Sequence, residues 1–128
     1  MATWPVVTGD IVTSTIWNGL PAFEVASDKT TDYTTASGDQ YQKLIPMNKA
    51  TAIAFKIPTD ATYAFPVGTV ITILTKGAGT CTISAVTSGT TTVLSSGATA
   101  AAPTITQYKS AACIKTATDT WYVVGGIS

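Results

Sequence analysis

Seven carboxylates and seven lysines carry all the side-chain charge of this 128-residue chain, with no histidine and no arginine among them. Glycoside hydrolysis would need two of the carboxyl groups at a fixed separation, one of them with a raised pKa. The candidates are Asp10, Glu24, Asp28, Asp32, Asp39, Asp60 and Asp119, and most of the aspartates stand beside Gly, Thr or Ser in turn-like segments. A solvated or locally hydrogen-bonded carboxylate is the usual state there. Lack of histidine removes the usual acid/base near neutral pH and any Ser–His pair. Lack of arginine removes the bidentate clamp for phosphate or carboxylate. No G-x-S-x-G occurs, and Ser–Lys chemistry would need a buried lysine. The expectation is a non-enzyme with no catalytic residues and no cofactor.

Other site chemistries fare similarly. Asp28, Asp32 and Asp39 are candidate calcium ligands, but their spacing matches no EF-hand loop. Two cysteines without histidine leave no structural zinc set. Cys81 and Cys113 read as reduced, buried small hydrophobes, with a disulfide between neighbouring strands as the alternative. Gly77-Ala78-Gly79 reads as a hairpin turn, not a phosphate loop, because no GK[ST] or helix signal follows. Tyr33, Tyr41, Tyr63, Tyr108 and Tyr122 are candidates for stacking on a sugar, but they are scattered over different segments, where tyrosines are more often core-edge residues with a hydroxyl in water.

With 45% hydrophobic residues the chain can build a core, and at 11% charged it carries less than half the charge of an ordinary soluble domain. Much of its surface must be uncharged, kept in water by threonine hydroxyls or buried against copies and partners. There is no basic run, so neither nucleic acid nor an anionic membrane is an expected partner. MATWPVV reads as neither a signal peptide nor an anchor, and synthesis in a cytoplasm is the expectation.

The elements that must position these residues fall into three zones. Residues 1–28 form an arm broken by Pro5, Gly9, Gly19 and Pro21, with at most a short helix over about 14–20. Its bulky residues either fold back onto the core or anchor the protein on something larger, with Trp4, Val6, Val7, Ile11, Trp17 and Phe23 as docking side chains. Residues 29–42 read as a loop or edge strand, and 52–57 as an amphipathic strand closed by Pro58-Thr59-Asp60. Further strands are expected at 69–75, 80–86, 90–94, 104–108, 111–117 and 120–124. Tight turns fall at 76–79 and 87–89, and a hairpin at 117–120. Short strands at regular spacing predict an all-β, antiparallel β-sandwich or jelly roll over residues 29–128, with the irregular arm appended.

The run FPVGTVITILTKGAGTCTIS, followed by YKSAACIKTATDTWYVVGG, resembles a module of phage virion structural proteins. There an FPVGT strand, a GAG hairpin and a TDTW turn precede an apolar last strand. LIPMNKATAIAFKIP is similar to the strand before FPVGT, and TGDIVTSTIWNGL to a GDVVTA-x-x-N segment near the start of many tail-fibre and structural proteins. The resemblance implies a virion component, assembled in the host cytoplasm. The chain has neither a shaft nor coiled-coil heptads, which favours a short capsid decoration (cement) protein. Such a protein would be a homotrimer docked on the major capsid protein or another virion protein. The alternative is a tail-fibre or tail-tip module that binds a host glycan or protein.

Overall fold

The computed structural model describes residues 24–40 and 43–128. Among them there is no helix, and ten strands follow in order. These are β1 (Glu24–Val25), β2 (Tyr33–Thr34), β3 (Lys43–Met47), β4 (Ile53–Ile57) and β5 (Val70–Thr75), then β6 (Cys81–Ala85), β7 (Thr92–Ser95), β8 (Thr104–Ile105), β9 (Ser110–Ala117) and β10 (Thr120–Gly125). One sheet has the order β1-β3-β5-β9-β10-β7, the other β2-β4-β6-β8. From β1 to β9 the chain changes sheet at every step. Glu24 and Val25, within the arm of the sequence reading, pair with Lys43 and Leu44. The expected helix near 14–20 lies outside the described residues.

Strand content follows the period-2 pattern. On β4, β5, β6 and β9 alternate residues are buried, and Ile45, Phe55, Ile73, Ile83, Cys113, Trp121 and Val123 join other apolar side chains from both sheets in one core cluster. Every member of that cluster, from Ile45 to Val123, carries an odd number. From β2 onward each connection therefore returns the chain with the odd-numbered face inward, while β1, where Val25 pairs with the outward Leu44, runs in the opposite phase.

The pairing corrects the antiparallel expectation. Five pairings are parallel (β1/β3, β3/β5, β2/β4, β4/β6 and β7/β10), and three are antiparallel. Each strand of the first three coils returns to its own sheet after a visit to the other, so it lies alongside its predecessor in the same direction. Ile45 pairs with Ile73 and Ile53 with Cys81, both 28 positions apart (73 − 45, 81 − 53). The KGAG segment is correspondingly not a hairpin, since β5 and β6 lie in different sheets. It is an arch that stacks on the arch of residues 48–52. Lys76 N–H donates to Met47 C=O (2.8 Å) and Gly79 N–H to Lys49 C=O (2.9 Å). A Cβ on Gly77 would run into the Lys49 backbone, and one on Gly79 into Thr51, so only glycine permits this approach.

Pro46 sits inside a sheet without breaking it. Leu44 and Pro46 turn their carbonyls to the β1 side, where Ala26 N–H (2.9 Å) and Lys29 N–H (2.8 Å) donate to them. The donor that proline lacks falls between those two contacts, where residues 26–28 leave the ladder. Elsewhere β8 is shorter than the expected 104–108. Among the described residues only the turn at 118–119 joins sequence neighbours as a hairpin, with Asp119 at φ 48°. Asp and Asn tolerate that region better than most residues.

Candidate interaction surface

The aspartates among the described residues are occupied locally; Asp10 lies outside them. Asp39 is buried, and its Oδ2 accepts from Tyr33 Oη (2.7 Å), Thr35 Oγ1 (2.8 Å) and Ala36 N–H (2.8 Å). Asp32 accepts from Ala54 N–H. Asp28 pairs with Lys76 (3.0 Å) and accepts from Asn48; those two hydrogen bonds, Lys76 first, hold its carboxyl below the usual range. The three candidate calcium ligands thus serve separate contacts. No group of three or more acidic, Cys or His residues suited to a metal occurs among the described residues.

Three charged groups do meet, Asp60 joining Lys115 and Asp119 from more than 50 positions away. Lys115 is buried on β9, and its Nζ donates to Asp60 Oδ1 (2.8 Å) and to Phe65 C=O (2.6 Å). Asp119 accepts from Asp60 N–H (2.8 Å) and Thr91 Oγ1 (3.3 Å). This network ties the 58–69 connection and the final hairpin to the sheet. The buried lysine that Ser–Lys chemistry requires is therefore present, but no serine is among its hydrogen-bond partners. Cys81 and Cys113, on opposite sheets, are free thiols. Burial pushes Cys81 up to about 12 and Cys113 upward too, the latter also by its proximity to Cys81.

The tyrosines form no common platform. Tyr33 and Tyr63 are half-buried, the latter stacked edge-on against Phe65 and accepting from Gln40. Tyr122 lies on the outer face of the six-stranded sheet, and Tyr41 is outside the described residues. Tyr108 is 78% exposed at φ 66°, a conformation costly for a bulky residue.

The outer faces of the two sheets contrast sharply. On the four-stranded sheet the outward positions align as Thr34–Lys56–Ser84 and Ala54–Thr82–Thr104, a hydroxyl-rich face with one cation. On the six-stranded sheet they align as Val70–Ile114–Tyr122–Leu94 and as Val25–Leu44–Thr72–Ala112–Val124. No outward position on β5, β7, β9 or β10 is charged. Val70, Leu94, Tyr122 and Val124 are exposed in these rows. Period 2 alone does not reveal this face; the signal was available in the even-numbered strand residues being Val, Leu, Ile and Tyr as well as the odd ones.

At one margin of this face β7 is a terminal strand, and no strand of the described residues pairs with its other edge. Beside that edge opens a cleft of about 480 Å³, lined by Ala85, Ser88, Gly89, Val93, Leu94 and Ala100–Ala102 among others. The docking side chains read from the sequence, Trp4, Val6, Val7, Ile11, Trp17 and Phe23, all lie outside the described residues. No family model, curated protein or solved structure matches the chain.

Proposed function

We propose that this chain is a non-enzymatic virion structural protein of a bacteriophage. It acts as a capsid decoration (cement) subunit that associates as a homotrimer and lays its six-stranded sheet on the major capsid protein or another shell protein. The observation that carries the assembly role is the uncharged outer face of that sheet, with exposed Val70, Leu94, Tyr122 and Val124. Apolar sheet faces of this kind are usually covered in a working assembly. The word "phage" rests on the resemblance of the 65–84 and 108–126 segments. The arm, through Trp4, Val6, Val7, Ile11, Trp17 and Phe23, docks on the shell or on a neighbouring subunit. We read the two sheets as layers of a sandwich; a jelly roll, being antiparallel, suits the parallel coils less well.

The test is stoichiometry and position on purified particles, together with mass in solution. Hundreds of copies over the shell, grouped in threes, are expected. A few copies confined to the tail or one vertex would overturn the cement reading. Leu94→Lys with Tyr122→Lys is expected to lower shell occupancy at least tenfold with the fold intact, since each change buries an unpaired charge on docking.

Tyr108 favours a second reading, a tail-tip module that binds a host glycan or protein. A strained, exposed aromatic is a feature that binding sites retain. In that case Tyr108→Ala abolishes binding to host cells and leaves assembly unchanged.

A further inference from the structure

The geometry points to the open edge of β7 and its cleft as the seat for residues 6–16 of a neighbouring copy, added to the six-stranded sheet as a further strand. This rests on the self-associating role proposed above and names where the arm of one subunit goes.

The receiving site follows from the ladder. Thr92 N–H donates to Asp119 C=O (2.7 Å) on the β10 side. Alternate residues of a strand turn their backbone groups to opposite edges, so Val93, buried in the cleft wall, and the half-buried Ser95 turn theirs away from β10. An unpaired edge of this kind accepts an extended peptide by main-chain hydrogen bonding, while neighbouring pockets take its side chains. Apart from the 91–94 segment, the cleft beside it is walled by Ala, Gly and Ser, which leave room for another backbone and its side chains.

The donor follows from sequence and reach. Residues 6–16 read VVTGDIVTSTI, in which eight of eleven residues are β-branched and one is charged. That composition suits a strand against an uncharged edge. The arm joins the fold at β1, the opposite margin of the same sheet from β7. Five interstrand spacings separate the two, about 24 Å, and a path over the sheet must also climb and descend about 5 Å of side chain at each end. Residues 17–23 span at most about 25 Å when fully extended. The full 6–16 run therefore falls short of its own cleft. A neighbour whose β1 margin abuts this β7 margin delivers the run with no crossing. Such a contact joins two different surfaces, and repeating it with a closing rotation gives a ring such as a trimer.

Complementation between two full-length variants tests this. Ala101→Lys places a charge in the cleft at an exposed position and leaves the arm intact. Val7→Lys with Ile11→Lys charges the arm and leaves the cleft intact. Thermal melting should show both folded as the wild type is. Light scattering should then show the wild type as a trimer, each variant alone as a monomer, and their equimolar mixture as a one-to-one dimer that grows no further. If the wild type assembles but either variant assembles equally well, the arm–cleft contact is wrong and the structural role stands. Monomeric variants that fail to complement also overturn the contact, since the assembly then uses another surface. A monomeric wild type sinks both.

Discussion

Removing the Asp60 carboxylate would leave the buried Nζ of Lys115 with the Phe65 carbonyl as its remaining acceptor. Breaking a buried pair from one side costs about 3–5 kcal/mol. Asp60→Ala is therefore expected to lose about that much in denaturant unfolding, while Asp28→Ala, at the exposed Lys76 pair, leaves the midpoint nearly unchanged. Equal losses would show that the Lys115 network is not what holds the 58–69 connection. The cysteines set a different limit. Cys81 is raised from 9.0 to about 12 in the folded chain, so it keeps its proton where the unfolded thiol has lost it. Its contribution to stability is full below pH 9 and lost as pH rises from 9 to about 12. A stability–pH curve should fall across that window, and Cys81→Ala should flatten the fall. The burial of the two thiols was legible in the sequence, but the ion pair was not: Lys115 and Asp60 are 55 positions apart, and alternation alone gives Lys115 an inward position without naming its partner.

At the level of elements, the stacked arches explain why short strands were found at nearly the expected places yet joined differently. Val70–Thr75 and Cys81–Ala85 flank a glycine-rich spacer, and hairpins and arches share that pattern because both keep alternate residues inward. What separates them is repetition. The spacer 48–52 and the spacer 76–80 have equal length, and the strands around them recur at a constant offset, a sign of coils in place of hairpins. Gly79 is the sharpest test of the stacking. Gly79→Ala sets a methyl group into the Thr51 backbone and is expected to cost about 2–4 kcal/mol or prevent folding. Gly89→Ala meets no atom within 4 Å and pays chiefly for its φ of 88°, about 1–2 kcal/mol. Thermal melts of the pair should rank in that order; the reverse ranking would mean that the arches do not touch in solution.

For the molecule as a whole, β9 and β10 make the one strand pairing between sequence neighbours among the described residues; the other seven pairings there close larger loops. Folding dominated by such distant contacts is slow, in the range of milliseconds to seconds. Stopped-flow refolding should show that regime, with substitutions in the 110–125 hairpin slowing folding more than those at β1 or β2. A microsecond refolding phase carrying the full amplitude would contradict the topology. The same view separates what composition could announce from what it could not. Low charge and abundant threonine pointed to uncharged faces, but which sheet carries the apolar rows depends on the pairing of β5, β9, β10 and β7. Those strands come from places more than 50 residues apart, so no local window contains the face.

The 28-residue offset shared by the β3/β5 and β4/β6 pairings also bears on how a protein of this kind changes size. Duplicating a 28-residue unit such as 48–75 supplies one more arch-and-strand turn that repeats the register of its predecessor, raising each sheet by one strand, about 4.8 Å. The margins at β1 and β7 would keep their chemistry while the distance between them grew. Height and end-to-end specificity are thus separately variable in this architecture, and a lineage could lengthen its subunit without relearning how the subunits meet.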